Sequence, residues 1–206
     1  MTHSKRLPLV FLDIDDVLCM SSPFGGYDVI EVVAGRHVNP DAVYRSVFLA
    51  GAGEALKQVH DRFNGELHYV ISSTWRAAFD RDQLSEVFRR GGLGFVADRL
   101  HDDQRWCTPV KLGRGKRIDE IAQWLDQHHH GEPFVIIDDT FSGPSLRPAL
   151  SCPTHPFFGR VVLCEESVGL TPEHVGAAVA ALQRPVGALR SPPASESEAY
   201  RAVDVP

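Results

Sequence analysis

Apolar runs of strand length alternate along the chain with longer segments in which apolar residues recur at helical spacing. The predicted strands are residues 7–13, 67–72, 94–97, 134–137 and 160–164. The predicted helices are residues 53–63, 80–91, 116–129 and a last helix that begins at Thr171-Pro172. Strands that alternate with helices predict an α/β fold, in which a mostly parallel central sheet is flanked by helices.

Residues 19–50 interrupt this alternation with an irregular pattern. The apolar residues 29–33 predict one arm of a small hairpin, and Asn39-Pro40 predicts the start of a short helix. Because this segment directly follows an acidic strand end, we expect a small flap or cap over a site. A surface for a protein partner is the alternative interpretation of the segment.

The composition is that of an ordinary globular protein, with 206 residues, 43% of them hydrophobic and 23% charged. This size predicts one domain over residues 1–190, and the Ser-, Pro- and Glu-rich residues 191–206 predict a disordered tail. No apolar run approaches the ~20 residues of a membrane helix, so we expect a cytoplasmic protein without a membrane partner. The net charge of −6 argues against a broad nucleic-acid surface but leaves room for a local basic pocket.

The strongest functional signal is the set of polar residues that directly follow three predicted strands. The predicted strand 7–13 leads into Asp13, Asp15 and Asp16, and the strand 67–72 leads into hydroxyl side chains. The strand 134–137 is followed by Asp138-Asp139. The alternation of a strand would place Asp13 and Asp15 on the same side. Ligands of parallel sheets bind beyond the carboxyl ends of the strands, where all three groups would meet.

Carboxylates from two strand ends are suitable ligands for Mg²⁺, which prefers oxygen. Asp13 could attack phosphorus as a nucleophile, and Asp15 could protonate the leaving oxygen and later activate water. A hydroxyl at the end of the second strand would hold a phosphoryl oxygen. Lys116 or Arg117, at the start of a helix, would supply the neutralising cation.

These motifs resemble, in the same order, those of the haloacid dehalogenase (HAD) superfamily. Residues 11–18 resemble motif I, Ser73 motif II, Lys116 or Arg117 motif III, and residues 137–139 motif IV. The resemblance covers about residues 7–185. More particular segments are similar to the HAD domains of Swiss Army Knife RNA repair proteins, namely residues 71–76, 117–125 and 169–171.

The resemblance implies a Rossmann-like fold with a minimal cap and with motif I on the central strand. It implies Mg²⁺ bound by the Asp13 carboxylate, the Asp15 carbonyl and an acid of motif IV, for which Asp139 is the first candidate and Asp138 the second. It also implies hydrolysis of a phosphomonoester through an aspartyl-phosphate, with a phosphorylated small molecule, a nucleotide or a nucleic-acid end as substrate. Asp16 departs from the pattern, since many members have glycine there, and no third acid follows Asp139.

Several assignments remain open at the level of the sequence. Ser72 competes with Ser73 as the phosphate ligand, because one step of register exchanges them. Thr74 and Arg76 are candidate substrate contacts, although Arg76 could instead pair with Asp80. A phosphotransferase or a non-catalytic binding module of the same fold would use the same residues, and the sequence does not indicate the oligomeric state.

Overall fold

The computed structural model describes residues 6–110 and 116–185. The helices and strands are β1 (Leu9–Leu12), α1 (Gly26–Val33), α2 (Pro40–Ser46), α3 (Ala50–Arg62), β2 (His68–Ile71), α4 (Arg81–Arg90), α5 (Gly94–Ala97), α6 (Arg117–His128), β3 (Phe134–Asp139), α7 (Pro148–Ser151), β4 (Val161–Cys164) and α8 (Pro172–Gln183). Short 3₁₀ turns follow β2 at Thr74–Ala77 and β3 at Pro144–Leu146. The predicted tail, residues 191–206, lies outside the described residues.

The four strands form one parallel sheet in the order β2-β1-β3-β4. Leu12 at the end of β1 lies beside Ile71, the last residue of β2, and beside Ile137 of β3, which continues two residues further to Asp139. The fold is therefore α/β with a parallel sheet, as the sequence predicts. Motif I, residues 11–18, begins in the last residues of β1, which lies between two other strands.

Hydrophobic side chains cover both faces of the sheet, which is the usual condition of a parallel sheet. Val10 and Leu12 point into the larger core, to which α1–α5 and α8 contribute. Leu9 and Phe11 point into a smaller core, to which α6 contributes Trp124. Phe11 and Trp124 meet edge to face at 5.1 Å. No helix in the described ranges is long and apolar enough to cross a membrane.

Three of the predicted helix starts are confirmed by their caps. The Asn39 side chain accepts the backbone N–H of Ala42, and Asp80 forms the reciprocal capping box with Gln83. Thr171 is the N-cap of α8. At these positions a polar side chain satisfies backbone donors that the helix itself leaves free.

Two predictions of secondary structure are wrong. Residues 29–33 belong to the helix α1 rather than to a hairpin, because Val29 and Val32, three residues apart, share one buried face. The acceptor for the N–H of Gly25 is Asp28, in the first turn of that helix. Residues 94–97 form α5 rather than a strand, and it is Leu100, just beyond them, that pairs with Tyr69 of β2. Short β-branched or apolar runs fit either structure, so their composition misled the prediction.

Candidate active site

Three carboxylates converge where β1 and β3 end. The backbone N–H of Asp13 donates to the carbonyl of Ile137 at 3.0 Å, which fixes Asp13 beside the end of β3. Carboxylate oxygens of Asp13, Asp138 and Asp139 lie within 4.8 Å of one another, and all three residues are at most 1% exposed. Buried carboxylates this close require compensation by a cation, a shared proton or strong donors.

Arg117 provides part of that compensation from the first turn of α6. Its Nε donates to Asp138 Oδ2 at 2.7 Å, and its Nη2 donates to Asp13 Oδ2 at 3.1 Å. The carboxylates Asp13, Asp138 and Glu120 raise the pKa of Arg117 although burial alone would lower it. Lys116 is the exposed N-cap residue of the same helix. Of the two candidates for motif III, the geometry brings Arg117 to the carboxylates.

Glu120 links Arg117 to a second buried guanidinium. Its Oε2 accepts Arg76 Nη2 at 2.7 Å and Arg117 Nη1 at 3.4 Å. Arg76 also donates to the carbonyl of Ser73 and is only 8% exposed. Arg76 therefore pairs with Glu120 and not with Asp80, the alternative that the sequence left open. Its guanidinium links the chain after β2 to α6.

Ser142 is a site residue that the sequence reasoning missed. Its Oγ lies 2.8 Å from Asp13 Oδ2 and 3.0 Å from Asp138 Oδ1, and it also contacts Asp139 Oδ2. Asp139 turns the chain back, because its Oδ1 accepts the N–H groups of Phe141 and Ser142. A hydroxyl has one proton, so Ser142 can donate to only one of the three carboxylates at a time.

Glycine is required directly after Ser142. A Cβ at Gly143 would lie 2.8 Å from the carbonyl oxygen of Asp139 and 2.9 Å from Asp138 Oδ1. Both atoms belong to the strand end that forms the site. The absence of a side chain at Gly143 thus allows the loop to approach the carboxylates closely.

The acidic centre has an excess of negative charge. Burial, together with the Asp13 carboxylate, raises the pKa of Asp138 well above its ordinary value. Arg117 contacts two of the three acids, Asp13 and Asp138, and the candidate ligand atoms of the centre are all oxygens. A hard divalent cation such as Mg²⁺ fits this donor set and charge.

Asp15 occupies a different position from the three clustered acids. Its Oδ1 accepts the indole N–H of Trp75 at 2.9 Å, and its Oδ2 accepts the Thr74 hydroxyl at 3.3 Å. Burial raises the pKa of Asp15, although the bond from Trp75 lowers it in part. β1 ends at Leu12, so strand alternation does not extend to Asp15, and its carboxylate lies outside the group formed by Asp13, Asp138 and Asp139.

Asp16, which departs from the glycine of many relatives, has a structural role here. Its φ of +53° lies in the left-handed region that glycine, asparagine and aspartate adopt most readily. Its carboxylate accepts the backbone N–H of Ser167 at 3.1 Å, and its own N–H donates to the carbonyl of Cys19. The acid therefore joins the turn after β1 to the loop before α8.

The two candidate serines at the end of β2 are both fully buried. Ser73 is the N-cap of the following 3₁₀ turn, and its Oγ accepts the backbone N–H of Trp75 at 3.4 Å. Within the described residues the Oγ of Ser72 has no hydrogen-bond partner. The choice between Ser72 and Ser73 as phosphate ligand stays a prediction.

Comparison with known families agrees with this geometry. Residues 9–175 match the family described as the HAD domain in Swiss Army Knife RNA repair proteins, and the match includes every residue of the acidic centre. Comparisons with curated proteins and with solved structures gave no match. The matched range covers most of the 206 residues. The chain therefore belongs to the family of HAD domains found in Swiss Army Knife RNA repair proteins.

Proposed function

We propose that this chain is a Mg²⁺-dependent phosphohydrolase that cleaves phosphomonoesters with Asp13 as its nucleophile. Family membership supports a HAD-type hydrolase in general. The observation that carries the finer proposal is the environment of Asp13. Its carboxylate is held by Arg117 and Ser142 inside a group of three buried acids.

The proposed metal site consists of the oxygens of Asp13 and of Asp138 or Asp139, with the carbonyl of Asp15 as a further candidate. The three clustered carboxylates and the Ser142 hydroxyl present only oxygen donors to one centre, which fits Mg²⁺. A bound Mg²⁺ would neutralise charge on the phosphoryl group during transfer.

The protein groups divide the reaction between them. The Asp13 carboxylate attacks phosphorus and displaces the ester oxygen, which takes a proton from Asp15. Asp15 then removes a proton from water, and the water oxygen attacks the phosphorus of the aspartyl-phosphate, which releases phosphate and restores Asp13. Arg117 balances the negative charge that Asp13 carries before the attack and after release.

The direct test is phosphate release from a panel of phosphomonoesters with Mg²⁺. We expect Asp13→Asn to lower turnover by about 10³-fold or more, because an amide is a poor nucleophile. Asp16→Asn is the matched control, since asparagine tolerates its positive φ and the residue lies outside the acidic group. Acid-quenched protein should carry phosphate on Asp13.

Wild-type turnover in Asp13→Asn would exclude the covalent mechanism. A phosphotransferase with the same nucleophile would pass the phosphoryl group to an added alcohol instead of releasing phosphate. A non-catalytic domain would bind Mg²⁺ in calorimetry but hydrolyse no member of the panel.

A further inference from the structure

A pocket of about 360 Å³ opens beside Asp15, and none of the three clustered acids is among its described lining residues. Its walls come from α1, which contributes Tyr27 and Ile30, and from the turn after β2, which contributes Trp75 and Phe79. Asp15 is therefore both a wall of this pocket and the group placed to protonate the leaving oxygen. The rest of the leaving group is attached to that oxygen, so we expect it to extend into the pocket.

We propose that this pocket binds the leaving group of the phosphomonoester and selects a leaving group that carries a flat aromatic ring, such as a nucleoside or a naphthol. This inference rests on the proposed function, since it assigns the substrate class of the same site. It predicts a monophosphate with no further phosphate on the leaving group, and so disfavours the polyanionic end of a nucleic-acid strand.

The first argument is the apolar surface. Trp75 and Phe79 are nearly buried and lie at the base of the pocket, with ring centroids 5.6 Å apart. Tyr27 is 74% exposed and Ile30 is 37% exposed at the rim. These rings and exposed apolar side chains offer contacts to an aromatic ring, beside the polar groups of Asp15 and Thr74.

The second argument is charge. Among the described residues that line the pocket, Asp15 is the one charged side chain. A leaving group that carried additional phosphates would find no lysine or arginine in the described lining to compensate its charge. An uncharged aromatic group needs no such compensation and can contact the rings.

The third argument is the fit of α1 against the site. A Cβ at Gly26 would lie 3.1 Å from the indole Nε1 of Trp75, so glycine allows the helix to approach the indole closely. The same indole N–H donates to Asp15. The insertion that carries Tyr27 and Ile30 is thus packed directly on the residue that holds the proposed proton donor.

The first experiment compares 1-naphthyl phosphate and nucleoside monophosphates with glycerol phosphate and a 5′-phosphorylated oligonucleotide, all with Mg²⁺. We expect the aromatic monophosphates to have the highest kcat/KM. Tyr27→Ala should raise KM about tenfold for 1-naphthyl phosphate, the loss of one stacking contact, and leave glycerol phosphate unchanged. Val38→Ala, which changes an apolar residue that is 98% exposed and does not line the pocket, should change neither substrate.

A second measurement separates this inference from the proposed function. Calorimetric binding of 1-naphthol to the protein requires no turnover, and Tyr27→Ala should weaken it by a similar factor. If 1-naphthol binds in a way that depends on Tyr27 but no phosphomonoester is hydrolysed, the pocket assignment stands and the proposed phosphatase activity is wrong. Hydrolysis with equal preference for glycerol phosphate, or with preference for the oligonucleotide, would overturn the pocket assignment and keep the phosphatase.

Discussion

The two halves of the candidate site handle buried acids in different ways. In the floor, which we define as Asp13, Asp138, Glu120 and Arg117, each carboxylate lies within 3.4 Å of the same guanidinium. In the mouth, defined by Asp15 with Thr74, Trp75 and the rim of α1, the side chains of the described residues that donate to the carboxylate are all neutral.

This difference fits two different tasks. The guanidinium of Arg117 offsets part of the negative charge of the carboxylates that it contacts, which suits a nucleophile and a metal ligand. Within the described residues Asp15 has no cationic hydrogen-bond partner, and burial raises its pKa, so it can hold a proton more easily. The comparison predicts that variants of the floor act through charge, whereas variants of the mouth act through proton transfer to the leaving group.

Among the variants that test this comparison, the largest effect is expected for Arg117→Lys. An ammonium cannot reproduce the separate contacts that the guanidinium makes through Nε and Nη2, so one of Asp13 and Asp138 loses its partner. We expect kcat to fall by about 10²-fold. Lys116→Ala, at the exposed neighbouring position, is the matched control and should stay within about threefold. The reverse ranking in steady-state kinetics would assign motif III to Lys116.

A second test measures the stability of the floor. Glu120→Gln removes the negative charge between Arg76 and Arg117, which leaves two buried guanidiniums with less compensation. We expect a loss of about 2 kcal/mol in urea unfolding.

The matched control is the exposed pair of Lys57 and Asp61, whose contact of 2.6 Å is as short as that of Arg76 with Glu120. Asp61→Asn should cost less than about 1 kcal/mol, because solvent screens the pair. Equal losses in both variants would show that burial does not distinguish the two pairs.

The carboxylates at the strand ends were largely predictable from the sequence, whereas Glu120 in the floor and the contacts of the mouth were not. Asp13, Asp138 and Asp139 follow apolar runs directly, and parallel strands bring their ends together, so short local patterns suffice. The choice between Lys116 and Arg117 depends on the rotation of α6, since adjacent residues on a helix point about 100° apart. That rotation is decided by packing, which the pattern does not contain.

The features that the sequence did not reveal depend on contacts between distant or unmarked residues. The indole N–H of Trp75 reaches Asp15, 60 positions earlier in the chain, and no local pattern marks that contact. Ser142 enters the acidic centre because of a backbone turn at Asp139, without an acidic residue to mark it. The β-branched residues 29–33 concealed the helix that forms the rim.

In the mouth, Trp75→Phe removes the indole N–H and keeps most of the aromatic packing with Phe48 and Phe79. Asp15 then loses its shorter hydrogen bond, so proton delivery to the leaving oxygen becomes less well oriented. We expect kcat to fall about tenfold for an alkyl phosphate, which needs the proton, and about twofold for p-nitrophenyl phosphate, which does not. A uniform loss for both substrates would indicate only a structural role for the indole.

The smallest effect is expected for Thr74→Val, which removes the other donor to Asp15. The Thr74 hydroxyl is 3.3 Å from Asp15 Oδ2 and lies at an exposed position, so water can replace it. The indole bond is shorter and partly buried, where water competes less well. We therefore expect Thr74→Val to lower kcat for an alkyl phosphate by about twofold or less. If Thr74→Val lost as much activity as Trp75→Phe, with the same dependence on the leaving group, Asp15 would be oriented by both donors together, and burial of the indole contact would not explain its importance.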